Sequence, residues 1–131
     1  MKQFCLVTSL LLAASLTSPA QATDFVSRLQ AAKQASKSAQ GAAYDASLSP
    51  YIKAAMQACI KQGLLAKGEQ ENFSLVANVS ASGALQAAQV MPVSPLANCF
   101  AAQLGKTGLP RPPGAVGVDG YPVYAVLQLQ S

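Results

Sequence analysis

The sequence contains no histidine and no tryptophan, and it carries only five carboxylate side chains, Asp24, Asp45, Glu69, Glu71 and Asp119. Without histidine there is no Ser–His–Asp or Cys–His nucleophile and no imidazole-based metal site. The carboxylates offer little in compensation. Glu69 and Glu71 lie two apart in an expected loop, where nothing supplies the burial that would separate their pKa values, so they read as a solvated pair. Gly114, Gly117 and Gly120 lack the Lys-Ser/Thr and the strand-to-helix context of a phosphate loop. Catalysis is therefore not expected, and neither a metal nor a cofactor is implied.

Clustered positive charge is also missing. The full chain has a net charge of +4, but Arg28, Lys33, Lys37, Lys53, Lys61, Lys67, Lys106 and Arg111 are scattered. They lack the basic stripe and interleaved aromatics of a nucleic-acid surface. A mildly basic, solvated surface is the expected state, and the expected partner is another envelope or exported protein.

What is present begins with "MKQFCLVTSLLLAASLTSPAQA". Lys2, the apolar stretch Phe4–Leu16, the breaker Pro19 and the small residues Ala20 and Ala22 form the pattern of an export signal, with cleavage after Ala22. The stretch is too short and too interrupted for a membrane span, although a retained N-terminal anchor is the competing reading. Cys5 has the wrong neighbours for lipid attachment. The mature chain from Thr23 is then a small periplasmic or secreted domain. It keeps two of the three cysteines, and an even count in an oxidising compartment points to a Cys59–Cys99 disulfide.

The mature chain divides by composition. Residues 23–48 are rich in Ala, Gln and Ser and have few large apolar side chains, so they read as a loosely docked helix followed by a loop, or as a spacer. Residues 49–131 carry stronger patterns. Ser49 as cap, Pro50 at the first helical position and Gly63 as stop frame a helix with Ile52, Ala55, Met56, Cys59 and Ile60 on one face. Phe73, Leu75, Ala77 and Val79 alternate as in a half-buried strand. Ser82–Gly83 turns into a second strand, with Leu85, Ala87 and Val90 as inward candidates, and Pro92 ends the pairing.

A further helix starts at Ser94 and Pro95, carries Leu96, Cys99, Phe100 and Leu104 on one face, and stops at Gly105 and Gly108. "PRPP" at Pro110–Pro113 has the spacing of a polyproline ligand, but it reads better as a stiff exit from that helix. Asn72 and Asn78 begin sequon matches inside an expected strand and are treated as chance. In "YPVYAVLQLQ", Val123, Ala125, Leu127 and Leu129 alternate against Tyr124, Val126, Gln128 and Gln130. The fold class is α+β, a small three-stranded antiparallel sheet with helices packed on one face and one disulfide.

The run "FSLVANVSASGALQAAQVMPVSPLANCFAAQLGKTGLPRPPG" followed by "YPVYAVLQL" resembles the TonB carboxy-terminal domain superfamily, in particular its branch with paired cysteines. The similarity covers roughly Tyr51–Leu129. It implies a periplasmic protein-binding module that accepts an extended peptide at a sheet edge, with Arg111, Tyr121, Tyr124, Val126, Gln128 and Gln130 as the candidate contact residues. The membrane helix and long proline-rich spacer of an energy transducer have no counterpart, so the expected role is an adaptor. An inhibitor or immunity-type protein acting through a loop or sheet edge is one form of it. The alternative is a structural accessory of an envelope assembly, docked through the Ala-rich segment.

Overall fold

The computed structural model describes residues 19–130, with side chains from Asp24 onward. The expected export leader and Cys5 lie outside the described residues, apart from the backbone of residues 19–22. The elements in chain order are α1 (Pro19–Ala35), α2 (Ala39–Lys61), β1 (Gln70–Val79), β2 (Leu85–Met91), α3 (Pro95–Lys106) and β3 (Tyr121–Gln130). The three strands form one antiparallel sheet in the order β2-β1-β3. None of the described helices is long and apolar enough to cross a membrane.

The period-two pattern of β1 determines which residues meet the helices above it. Phe73, Leu75, Ala77 and Val79 are buried, and across the register their partners Leu127, Ala125, Val123 and Tyr121 continue the same face. Leu96, Ala97, Phe100 and Leu104 of α3 and Ala55, Met56 and Cys59 of α2 close over that face into a single core. Phe73 and Phe100 meet edge to face with ring centroids 5.7 Å apart, the arrangement favoured by the ring quadrupoles. The expected α+β sheet is thus formed, and the Cys59–Cys99 disulfide joins α2 to α3 with Cα atoms 5.9 Å apart.

The opposite face is not left to solvent. Val76 points away from the main core, yet only 1% of its surface is exposed. α1 packs against β3 and β1 and buries Phe25 and Ala32 there. The Ala-rich segment is therefore a docked helix whose largest side chain is spent on the protein's own sheet.

The loop expected after it is reduced to a turn over residues 36–38. Ser38, in extended conformation, caps α2 by accepting the Gly41 N–H at 3.0 Å, so α2 begins well before Ser49 and no break falls between 48 and 49. Gly41 fits where a side chain would not: a Cβ there would stand 1.9 Å from the Ala35 carbonyl oxygen. Pro50 lies inside α2 rather than at its start. It is exposed, so water can reach the Ala46 carbonyl that the missing N–H leaves unpaired.

Two other expectations need correction. Ala87 is exposed rather than inward, because β2 bulges: Val76 pairs with Gln89 but Asn78 pairs with Gln86. The extra residue shifts the phase, so that Leu85 and Val90, five apart, both turn to the core face. α3 also runs through Gly105 to Lys106. Its start is as expected, with Ser94 Oγ accepting the Ala97 N–H at 3.0 Å. The same hydroxyl donates to the Glu71 carboxylate, so Glu71 ties the start of α3 to β1 and is not simply solvated.

The chain between α3 and β3 is tied down along its proline segment. Leu109 N–H donates to the Gly83 carbonyl at 3.0 Å, Tyr44 Oη donates to the Pro110 carbonyl at 2.9 Å, and Pro112 is buried. Gly83 is required at its turn: its φ is +92°, and a Cβ would stand 2.2 Å from the Leu109 carbonyl oxygen.

Candidate functional site at the open sheet edge

A three-stranded sheet has two edges, and these two differ. On β2 the bulge places Ala87 at φ 51°, a conformation that a residue with a Cβ adopts at a cost. The Arg28 guanidinium of α1 reaches across to it, donating from Nη2 to the Ala87 carbonyl at 2.7 Å and from Nη1 to Gln89 Oε1 at 3.3 Å. A bulge and a bound carbonyl are the devices that make an edge unsuitable for a further strand.

β3 carries neither device. It pairs with β1 over ten successive positions, from Gln70↔Gln130 to Val79↔Tyr121, without a register shift. None of its residues is charged. From Val123 to Gln130 its outer side therefore presents a straight row of backbone donors and acceptors without charge or bulge to guard it, and Pro122, which has no N–H, interrupts only the start of the strand.

Of the six expected contact residues, four share one face of this strand. Tyr124, Val126, Gln128 and Gln130 alternate along it; Tyr124 is half-buried, Gln128 and Gln130 are exposed, and Val126 is 55% exposed despite being apolar. The other two fall elsewhere. Tyr121 is on the opposite face, its ring edge-on to Tyr44 at 5.3 Å and its hydroxyl donating to the Ala35 carbonyl at 3.4 Å. Arg111 is exposed on the proline segment, not on the strand.

The helix over residues 52–60 is expected from the sequence, but the position of its flank beside β3 is not. α2 rests mainly on α3, and between its flank and Leu127 of β3 lies a trough of about 480 Å³ lined by Ser49, Ile52, Lys53, Met56, Gln57 and Leu127. The helical members recur at three-and-four spacing, a single stripe along α2. Ile52 and Met56 give it an apolar floor, and Lys53 is the only charged residue in the lining. In the sequence Ser49 reads as a cap and Lys53 as one of several scattered cations, because their common stripe appears only once α2 is seen to run unbroken through Pro50. Beyond the trough, at the Gln70–Gln130 end of the sheet, Gln70, Asn72, Gln128 and Gln130 line a second hollow with neutral amides.

The chemistry on offer is recognition by backbone hydrogen bonds, apolar contact and amides. Among the described residues no group of three or more His, Cys, Asp or Glu side chains is placed to hold a metal ion. Two tyrosines at the other end of the sheet have raised pKa values. Burial pushes Tyr44 up to about 12, aided by Tyr121 and Asp45, and burial with Asp45 raises Tyr121. Asp45 accepts a hydrogen bond from Ser36, so this cluster holds α1, α2, β3 and the proline segment together. Compared with protein-family models, curated proteins and solved structures, the chain finds no match in any of the three.

Proposed function

We propose that this protein is an exported, non-catalytic protein-binding module of the periplasm or the extracellular space, which takes up an extended segment of another envelope or exported protein along β3. The observation that carries this reading is the contrast between the two edges: β2 is bulged and bound by Arg28, whereas β3 is straight, uncharged and open. Strand addition draws its affinity from backbone hydrogen bonds and its selectivity from the alternate side chains of the incoming strand. The exposed Val126 on one face and the trough beside Leu127 on the other give such side chains somewhere to go. Export rests on the leader pattern, and the disulfide agrees with an oxidising compartment. The resemblance to the TonB carboxy-terminal superfamily agrees with the same binding mode. An adaptor and an inhibitor that occupies its partner's segment share this surface.

Site-specific photo-crosslinking in envelope extract tests the proposal. A photoreactive residue at position 126 or 128 is expected to capture a discrete protein, whereas one at position 88 on β2 captures none. Adding Val126→Lys together with Gln128→Lys, both at exposed positions, should weaken binding of that protein by about tenfold or more while changing stability by no more than about 0.5 kcal/mol. Capture from position 88 alone would contradict the proposal.

A further inference from the structure

Resting on that reading of β3, we propose that the segment it takes up is a strand of another protein with apolar residues at alternate positions and a carboxylate at the position that meets Lys53. The geometry fixes the pattern. A strand added to β3 alternates its side chains between the two faces of the sheet. Those on the α2 side continue the row of Val123, Ala125, Leu127 and Leu129 outward and enter the trough beneath α2.

Ile52 and Met56 on its floor favour apolar side chains, since each apolar group transferred there leaves water. Lys53 breaks the apolar lining with one ammonium group. Lys53 is exposed beside that apolar lining, and a carboxylate on the incoming strand is the complement that a single cation selects. The charge also decides against a second copy of this chain as the occupant. β3 carries no carboxylate, so pairing with its own copy would bring another Lys53 to the site and nothing to neutralise it.

The test uses the full mature chain and synthetic nine-residue peptides that alternate valine and serine, with blocked ends. One valine at a time is replaced by glutamate or by its neutral isostere glutamine. At one position the glutamate peptide is expected to bind about three- to tenfold more tightly than the glutamine peptide at low salt. The advantage should shrink at 0.5 M salt, as it would for an exposed pair, and disappear in Lys53→Gln, which retains the stem of the side chain.

Equal binding of the glutamate and glutamine peptides at every position would overturn the inference and leave the open-edge reading standing. An advantage that persists in Lys53→Gln would overturn it as well. If none of the alternating peptides binds, both readings fail. A concentration-dependent dimer in sedimentation that Val126→Lys dissolves would identify a second copy as the occupant and overturn the inference too.

Discussion

Tyr44 links parts of the chain that are far apart in sequence. It stands on α2, its ring meets Tyr121 at the start of β3, and its hydroxyl donates to the Pro110 carbonyl at 2.9 Å. Replacing it with phenylalanine keeps the ring and removes the hydrogen bond, leaving a carbonyl unpaired, at an expected cost of about 1–2 kcal/mol. The pH dependence has a definite sign. A phenol whose folded pKa is raised from 10 to about 12 keeps its proton in the folded state after the unfolded chain has lost it. Its contribution is complete below pH 10 and is lost as pH rises toward 12. Denaturation followed across that window should show a shallower loss for Tyr44→Phe than for the native protein, and identical slopes would contradict the assignment. Lys53 illustrates the limit of reading single residues. In the sequence it is one of several scattered cations, and only the placement of α2 against Leu127 of β3 sets it, still exposed, beside an apolar trough.

At the scale of elements, the strands with regular alternation were fully legible, whereas for β2 the strand itself with Leu85 and Val90 inward was legible and its bulge at Ala87 was not. β1 and β3 alternate as half-buried strands do, and α3 announces itself through Ser94 and Pro95. In β2, Leu85 and Val90 stand an odd number of residues apart, so both can face the core only if a residue bulges out between them. Ala87 has no large side chain to declare which way it points. α2 misled for a comparable reason. Ser49-Pro50 is a strong helix-start signal, but the tertiary packing of Tyr44 and Leu48 outweighs the local cost of an exposed proline within a helix. The disulfide belongs at this scale because it binds one helix to another. It closes 40 residues of sequence separation, which on the chain-entropy account contributes about 4 kcal/mol. Replacing Cys59 and Cys99 together by alanine should lower stability by about 2–4 kcal/mol in denaturant titrations. A change under about 1 kcal/mol would show that packing of α2 on α3 suffices without it.

For the whole molecule, the sheet is clasped on both faces and left open on one side. α1 covers Val76, α2 and α3 cover the main core, and Arg28 crosses from α1 to close the β2 edge. The second half of β3 is where this enclosure stops. An apolar strand covered by helices on one face was legible from periodicity; the difference between the two edges was not, because it depends on a bulge and on an arginine contact separated by 59 residues of sequence. That difference is the central claim, and amide-resolved NMR of the chain from Thr23 onward tests it directly. On titration with the alternating valine–serine peptides, hydrogen exchange should slow at alternate amides of β3 between Ala125 and Gln130, those that face away from β1, while the amides of β2 remain as they were. Slowing confined to β2, or to the exposed surface of α3 with β3 unaffected, would contradict the account.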